Sequence, residues 1–354
     1  MRPALIEKAL TSLIIARRPV MLWGPPGVGK SKLVRAVADK MFCPKEARRH
    51  GKTALRNAKA TPGAADVDYF IDLRLALMDP TGADFRFPIV DNKAGTVRWV
   101  TSEDFPRDGR GIIFLDELPQ ASPIIQSAAS SLILDYRIGS YILPPGWSVV
   151  AAGNRAGDRS STHKMPAHIS DRFFHIDYDV HFPDWKDWAI GNGIEQSVIA
   201  FLGFRPELLH KFDPAERSSP TPRSWEFVSD ILRHGLDEEC FLEVIEGKVG
   251  KGAATEFTGF FRVFRELPDY EDIVKRPDQA LVPDNSGALY AVTTMLAMTA
   301  EARDATPVFK YMERLPKDFQ VLLYRDVGKK NPDVAETQGY IRWTTANQAI
   351  LLNR

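Results

Sequence analysis

Cysteine is nearly missing from this sequence: Cys43 and Cys240 are the only two in 354 residues, far apart and in unrelated contexts. Neither a disulfide framework nor a metal-ligand spacing can be drawn from them, and a reducing compartment fits. No apolar run approaches the length of a membrane span. Glu7 and Lys8 stand in MRPALIEKAL where a signal peptide needs apolar residues. A cytoplasmic protein without membrane contact is the expectation. Excess charge of either sign is missing too, since 46 Lys and Arg balance 46 Asp and Glu. A chain-wide attraction to nucleic acid is therefore not expected. The one local candidate is KEARRHGKTALRNAKA, 45–60, with six basic residues and one Glu. A solvated insertion is its plain reading, and a patch for a partner or nucleic acid is the sharper one. Internal repeats and low-complexity tracts are absent.

What the chain does have is WGPPGVGKS, 23–31. Glycine lets a backbone turn sharply and approach a ligand closely, and proline stiffens the rest. The apolar run PVMLW precedes this loop. A helix is expected from about Lys30 to Met41, with Leu33, Val34, Val37 and Ala38 inward. Strand, GxxxxGKS loop and helix form the setting of a phosphate loop. Gly24, Pro25, Pro26, Gly27, Val28, Gly29, Lys30 and Ser31 are thus the candidate nucleotide-binding residues. Converging N–H groups and a helix N-terminus suit phosphate. Lys30, at a solvent-facing position, would reach the β- and γ-phosphates, and the Ser31 hydroxyl would ligate Mg2+.

A second apolar strand, GIIFLDELPQ at 111–120, ends on two acids. Ligands of open parallel sheets sit at the carboxyl ends of the strands. If this strand runs parallel to the first, Asp116 and Glu117 face the same nucleotide. Asp116 would hold Mg2+, directly or through water, and Glu117 would act as general base on the attacking water. SVVAAGN, 148–154, is another buried strand, ending at Asn154. DYFIDLRLAL, 68–77, and FFHIDYDV, 173–180, read as further strands. Residues 80–110 are loop or hairpin, 123–134 a helix, and YRIGSYILPPGW, 136–147, a hairpin. Residues 3–16 place Leu5, Ile6, Ala9, Leu10, Leu13 and Ile14 on one helical face. Alternating strands and helices give an α/β domain with a parallel sheet. Beyond about residue 183 strand signals end, and EFVSDILRHGLDEECFLEVIEG and GALYAVTTMLAMTAEARDA are helix-like. The expected organisation is an α/β nucleotide-binding domain over 1–183 and a helical region over 184–354, divided near Phe182–Asp184.

WGPPGVGKS, IIFLDEL, VVAAGN and ISDRFF, in this order, resemble an ATPase of the AAA+ superfamily. QSAASSLILDYRIGSYILPPGWSVVAAGN, a helix running into a hairpin and then into the strand with Asn154, resembles its MoxR-like branch, within the dynein-related AAA group. The likeness covers about residues 3–235. It implies a three-layer P-loop NTPase domain with a parallel sheet, an α-helical lid and a helical C-terminal extension. It implies ATP and Mg2+ as cofactors, ATP hydrolysis, and a homo-oligomeric ring, expected as a hexamer, that remodels or activates a partner protein. In this branch the partner is often a protein with a von Willebrand factor A domain. Asn154 matches sensor 1, which orients the attacking water. Arg172 in ISDRFF matches the arginine finger, which acts on the neighbouring subunit's ATP. Arg155 and Arg159 are rival fingers, and an ion pair of Arg172 with Asp171 or Asp177 is the plain alternative. Arg223 in PTPRSW matches sensor 2, at the start of a lid helix. A GTPase base reader is missing, because Gly95 stands at the Asp position of the Asn-Lys-x-Asp pattern in DNKAG. EFTGFF, 256–261, echoes the GAFTGA loop of transcription activators but lies in the helical region. The alternative kept open is a nucleic-acid-linked motor of defence or replication, with a GTP-using relative behind it. Glu117 and Arg172 together favour turnover over mere nucleotide holding.

Overall fold

The computed structural model describes residues 1–43, 69–158 and 163–348. The basic stretch 45–60 and the rival finger Arg159 lie outside these residues. The chain divides into two compact units, Met1–His181 and Phe182–Arg354.

The first unit runs α1 (Pro3–Ile15), β1 (Val20–Trp23), α2 (Lys30–Phe42), β2 (Phe70–Arg74), β3 (Arg86–Asp91), β4 (Thr96–Thr101) and β5 (Arg110–Asp116). It continues with α3 (Pro123–Asp135), β6 (Arg137–Ile138), β7 (Tyr141–Ile142), β8 (Gly146–Gly153), α4 (Ala167–Ser170) and β9 (Phe174–Asp177). Five strands form one sheet in the order β2-β5-β8-β1-β9, and every pairing is parallel. β5 and β8 read as continuous apolar runs because helices cover both faces of the sheet. On one face Ile6, Leu10 and Ile14 of α1 and Val34 and Val37 of α2 pack on Val20, Leu22, Ile112, Phe114, Val150 and Ala152. On the other face α3 brings Ile125, Ala129 and Leu132 to Met21, Ile113, Leu115, Val149 and Ala151. Alternate residues of each strand point to opposite faces, as the pleat requires. This is the expected three-layer arrangement with a parallel sheet.

The apolar face of α1 is narrower than expected. Ile6, Leu10 and Ile14 are buried at a four-residue spacing, but Leu5 is 43 % exposed. Burying each of the three is worth about 1.5–3 kcal/mol. β2 is shorter than the 68–77 expectation. It stops at Arg74, and Leu75–Leu77 form a 3-10 turn that carries buried Leu75 into the core under α3. Residues 80–110 contain the antiparallel hairpin β3–β4, with Phe87, Val90, Val97 and Trp99 exposed. β6 and β7 form the expected short hairpin around 136–147. The parallel register sets Trp23 beside Gly153 and Leu115 beside Ala151. The carboxyl ends of β1, β5 and β8 therefore share one edge of the sheet.

In the second unit every described element is helical. The helix Pro222–His234 opens with a capping box. Ser224 N donates to Thr221 Oγ1 at 3.1 Å and Thr221 N donates to Ser224 Oγ at 2.7 Å, satisfying N–H groups that a helix start leaves open. Its Trp225 is fully buried, with ring centroids 5.4 Å from Phe201 and 5.5 Å from Phe257. Gly235, at φ 81°, ends this helix before the next begins at Phe241. The helix-like stretch 226–247 is thus divided.

A buried ion pair, Lys186 with Asp326, ties the helix Phe182–Gly191 to the helix Lys317–Lys330. Lys186→Met leaves the Asp326 carboxylate buried, and among the described residues only Arg325, with Nε 3.6 Å from Oδ1, still pairs with it. Breaking such a pair from one side costs about 3–5 kcal/mol, while replacing both partners with apolar groups costs far less. Urea unfolding of Lys186→Met should show that loss, and Lys186→Met with Asp326→Leu should recover most of it. A single variant as stable as the wild type contradicts this.

Candidate functional site

The loop after β1 is held from several sides. Gly24 N donates to Gly153 O at 3.2 Å. A Cβ on Gly24 would lie 3.1 Å from Tyr178 Cβ, so the loop begins in close contact with the residue that follows β9. Gly27 and Gly29 have φ of 77° and 100°, a region that glycine enters without steric cost. Between them Val28 is buried in the core beneath α1 and α2. Gly29 also caps α2, and no side chain closes that helix start. Its first N–H groups are the kind of donors that phosphate oxygens accept from.

Lys30, the first residue of α2, folds back across the loop. Its Nζ donates to Gly24 O at 2.6 Å, Pro25 O at 3.0 Å and Asn154 Oδ1 at 3.0 Å. It is only 8 % exposed, so the expectation of a solvent-facing lysine is corrected. The carbonyls of its own loop and the end of β8 enclose it. Ser31 Oγ donates to Asp116 Oδ2 at 2.7 Å. A hydroxyl and a carboxylate this close are hard oxygen donors of the type Mg2+ takes, and they fit that ion beside a phosphate loop.

Asp116 ends β5, and its Oδ1 accepts from Glu117 N at 3.0 Å. Glu117 has φ 60° and ψ 33°, a left-handed conformation that costs a non-glycine residue about 1–3 kcal/mol. The turn holds it there, for Glu117 O accepts from Gln120 N at 3.0 Å and Ala121 N at 3.1 Å. The Glu117 side chain is exposed at the same sheet edge. The structure thus brings Gly24–Ser31, Asp116 and Asn154 into one cluster, with Glu117 at its rim.

The arginines are arranged differently. Arg172 is exposed in the turn between α4 and β9. Among the described residues no carboxylate pairs with it, and the ion pair with Asp171 or Asp177 that the sequence offered is not formed. Asp177 instead accepts from Arg155, whose Nη2 and Nε lie 2.7 and 3.0 Å from Oδ1. Arg223 is exposed in the first turn of Pro222–His234, in the second unit.

Three neighbours of the cluster were not foreseen. Asp72 on β2 sits two residues before Arg74, the partner of Asp116 in register. Burial, then the Asp116 charge, raises its carboxyl above the usual aspartate range, against Arg74 and Arg35. A lone acid inside YFIDLRL was its only signal. His175 Nδ1 accepts from Trp23 Nε1 at 2.8 Å, which leaves Nε2 as the donor to Ser170 O at 2.9 Å. This histidine links the strand before the phosphate loop to the last residue of α4, two residues before Arg172. Tyr178, packed under Gly24, is the third.

Residues 20–157 match the family model described as the ATPase family associated with various cellular activities (AAA). Over these residues the chain is similar to that family. The match begins with β1 and ends just past Asn154, so Arg172 and Arg223 lie outside it. Among solved structures, a RuvB variant from Thermotoga maritima is 16 % identical, with 78 % of this chain and 77 % of that chain covered at a TM-score of 0.39. NtrX from Brucella abortus is 13 % identical, with 92 % and 67 % covered at 0.39. Likeness this distant assigns no activity to this chain. No curated protein matches the sequence significantly. Among the described residues no helix is long and apolar enough to cross a membrane.

Proposed function

We propose that this protein is an ATP-hydrolysing motor of MoxR type that assembles as a ring and remodels a partner protein. The observation that carries the reading is the cluster at the sheet edge, where Lys30 meets Asn154 and Ser31 meets Asp116. Loop N–H groups and the uncapped start of α2 bind the phosphates, and Lys30 exchanges its internal acceptors for β- and γ-phosphate oxygens. Ser31 and Asp116 would hold Mg2+, which would supply neutralisation of charge on the phosphates. Glu117 takes the proton of the attacking water, and Asn154 orients that water. Arg172, exposed and without a described carboxylate partner, reaches the neighbouring subunit's ATP. Arg155 serves less well, since Asp177 already holds it. Arg223 reports the γ-phosphate to the helical lid. The resemblance in the helix–hairpin segment 126–154 supports the MoxR assignment and a hexameric ring. It also makes a protein with a von Willebrand factor A domain the first partner to try.

Titration of ATP onto wild type and Lys30→Ala tests the binding half of this reading. Removing a hydrogen-bonded charge that faces another charge costs about 2–5 kcal/mol. Affinity should therefore fall about 30-fold or more. Circular dichroism should still show a folded chain. Unchanged affinity in folded Lys30→Ala would remove the loop from nucleotide binding.

A further inference from the structure

Gly153 is the last residue of β8, directly before Asn154. It lacks the left-handed φ that usually demands glycine. Space makes the demand here. A Cβ at Gly153 would fall inside the van der Waals envelope of Pro119 Cδ and Cγ, and 3.1 Å from Met21 Cε. Pro119 is buried in the 3-10 turn Leu118–Gln120, which follows Glu117 immediately. That turn is closed on itself and tied at its middle residue to His163. Glu117 O accepts from Gln120 N and Ala121 N, and Pro119 O accepts from His163 N at 2.7 Å. On its other side Gly153 O accepts from Gly24 N at 3.2 Å. One glycine therefore touches the start of the phosphate loop, the acidic turn and, through the chain, Asn154.

We propose that Gly153 is a positioning residue for ATP hydrolysis: Pro119 seated on its bare Cα fixes the Glu117 turn relative to Asn154 and the phosphate loop. The proposal rests on the nucleotide reading of this site. The seat governs turnover more than binding, because Lys30, Ser31 and the loop N–H groups make the phosphate contacts and Glu117 makes none. A methyl group at Gly153 pushes Pro119 outward, and Glu117 moves with it. Displacing a catalytic group by about 1 Å costs about 10²-fold in rate.

The test uses full-length Gly153→Ala, Pro119→Ala and the double variant, each measured for ATP affinity and kcat. Gly153→Ala should bind ATP with near-wild-type affinity and lose about 10²-fold in kcat. Pro119→Ala removes the ring atoms that collide with the new methyl, so the double variant should return to the kcat of Pro119→Ala alone. Normal kcat in Gly153→Ala, an equal loss of affinity and kcat, or a folded double variant slower than Pro119→Ala overturns the proposal. Should Gly153→Ala fail to fold, the double variant decides: folded with the kcat of Pro119→Ala supports the seat, unfolded or slower than Pro119→Ala overturns it. Wild type and Glu117→Gln run alongside separate the two failures. A wild type no faster than Glu117→Gln overturns the hydrolysis reading and the seat together. A normal wild type with an unaffected Gly153→Ala overturns the seat alone.

Discussion

Subunits carrying Arg172→Ala and subunits carrying Lys30→Ala should each be nearly inactive in ATP hydrolysis and should regain activity when co-expressed. Arg172 lies in the exposed turn after α4, and no carboxylate of the described residues neutralises it. Guanidinium stays charged at any working pH and forks onto phosphate oxygens. Losing such a finger costs about 10³- to 10⁵-fold in phosphate-loop enzymes. An Arg172→Ala subunit keeps its own loop but offers its neighbour nothing. A Lys30→Ala subunit has a dead loop but still offers a finger. In mixed rings some interfaces join an intact loop to an intact finger, so part of the activity returns. An arginine acting within its own subunit allows no rescue at any ratio. Rescue by Arg155→Ala in place of Arg172→Ala would move the finger to Arg155 and break the inference drawn from its pairing with Asp177.

Glu117→Gln should bind ATP normally and hydrolyse it about 10²- to 10⁴-fold more slowly, the range that general-base catalysis supplies. The amide keeps the size and shape of the carboxylate but accepts no proton at neutral pH. The left-handed backbone at Glu117 is set by the hydrogen bonds from Gln120 N and Ala121 N, which the substitution leaves alone. Binding and turnover should thus separate, and ATP-loaded assemblies should persist. Equal rates in the two proteins would mean that another group is the base. Asp72, whose carboxyl is raised above the usual aspartate range by burial and by the nearby Asp116 charge, would be the next residue to change.

The sheet and the phosphate loop were legible because local pattern specifies them. Four-residue apolar runs mark strands buried on both faces, and Gly27 and Gly29 take the φ values that a sharp loop needs. The acids at 116 and 117 could be placed because parallel strands bring their carboxyl ends to one edge. What stayed hidden depends on partners remote in sequence. Asp177 lies closer along the chain to Arg172 than to Arg155, yet the ends of β8 and β9 hand it to Arg155. Trp23 finds His175, Pro119 seats on Gly153, and Lys186 meets Asp326 across 140 residues. Lysine is usually exposed, so residue type alone points Lys30 toward solvent. Three oxygen acceptors around its Nζ make burial tolerable here.

The most direct measurement is phosphate release from ATP by the full chain in the presence of Mg2+, with Lys30→Ala as the blank. Saturable release that requires Mg2+ and disappears in Lys30→Ala is the expected result. Release no greater than the blank, from wild-type protein that binds ATP and has assembled, would contradict the assignment of this site to ATP hydrolysis.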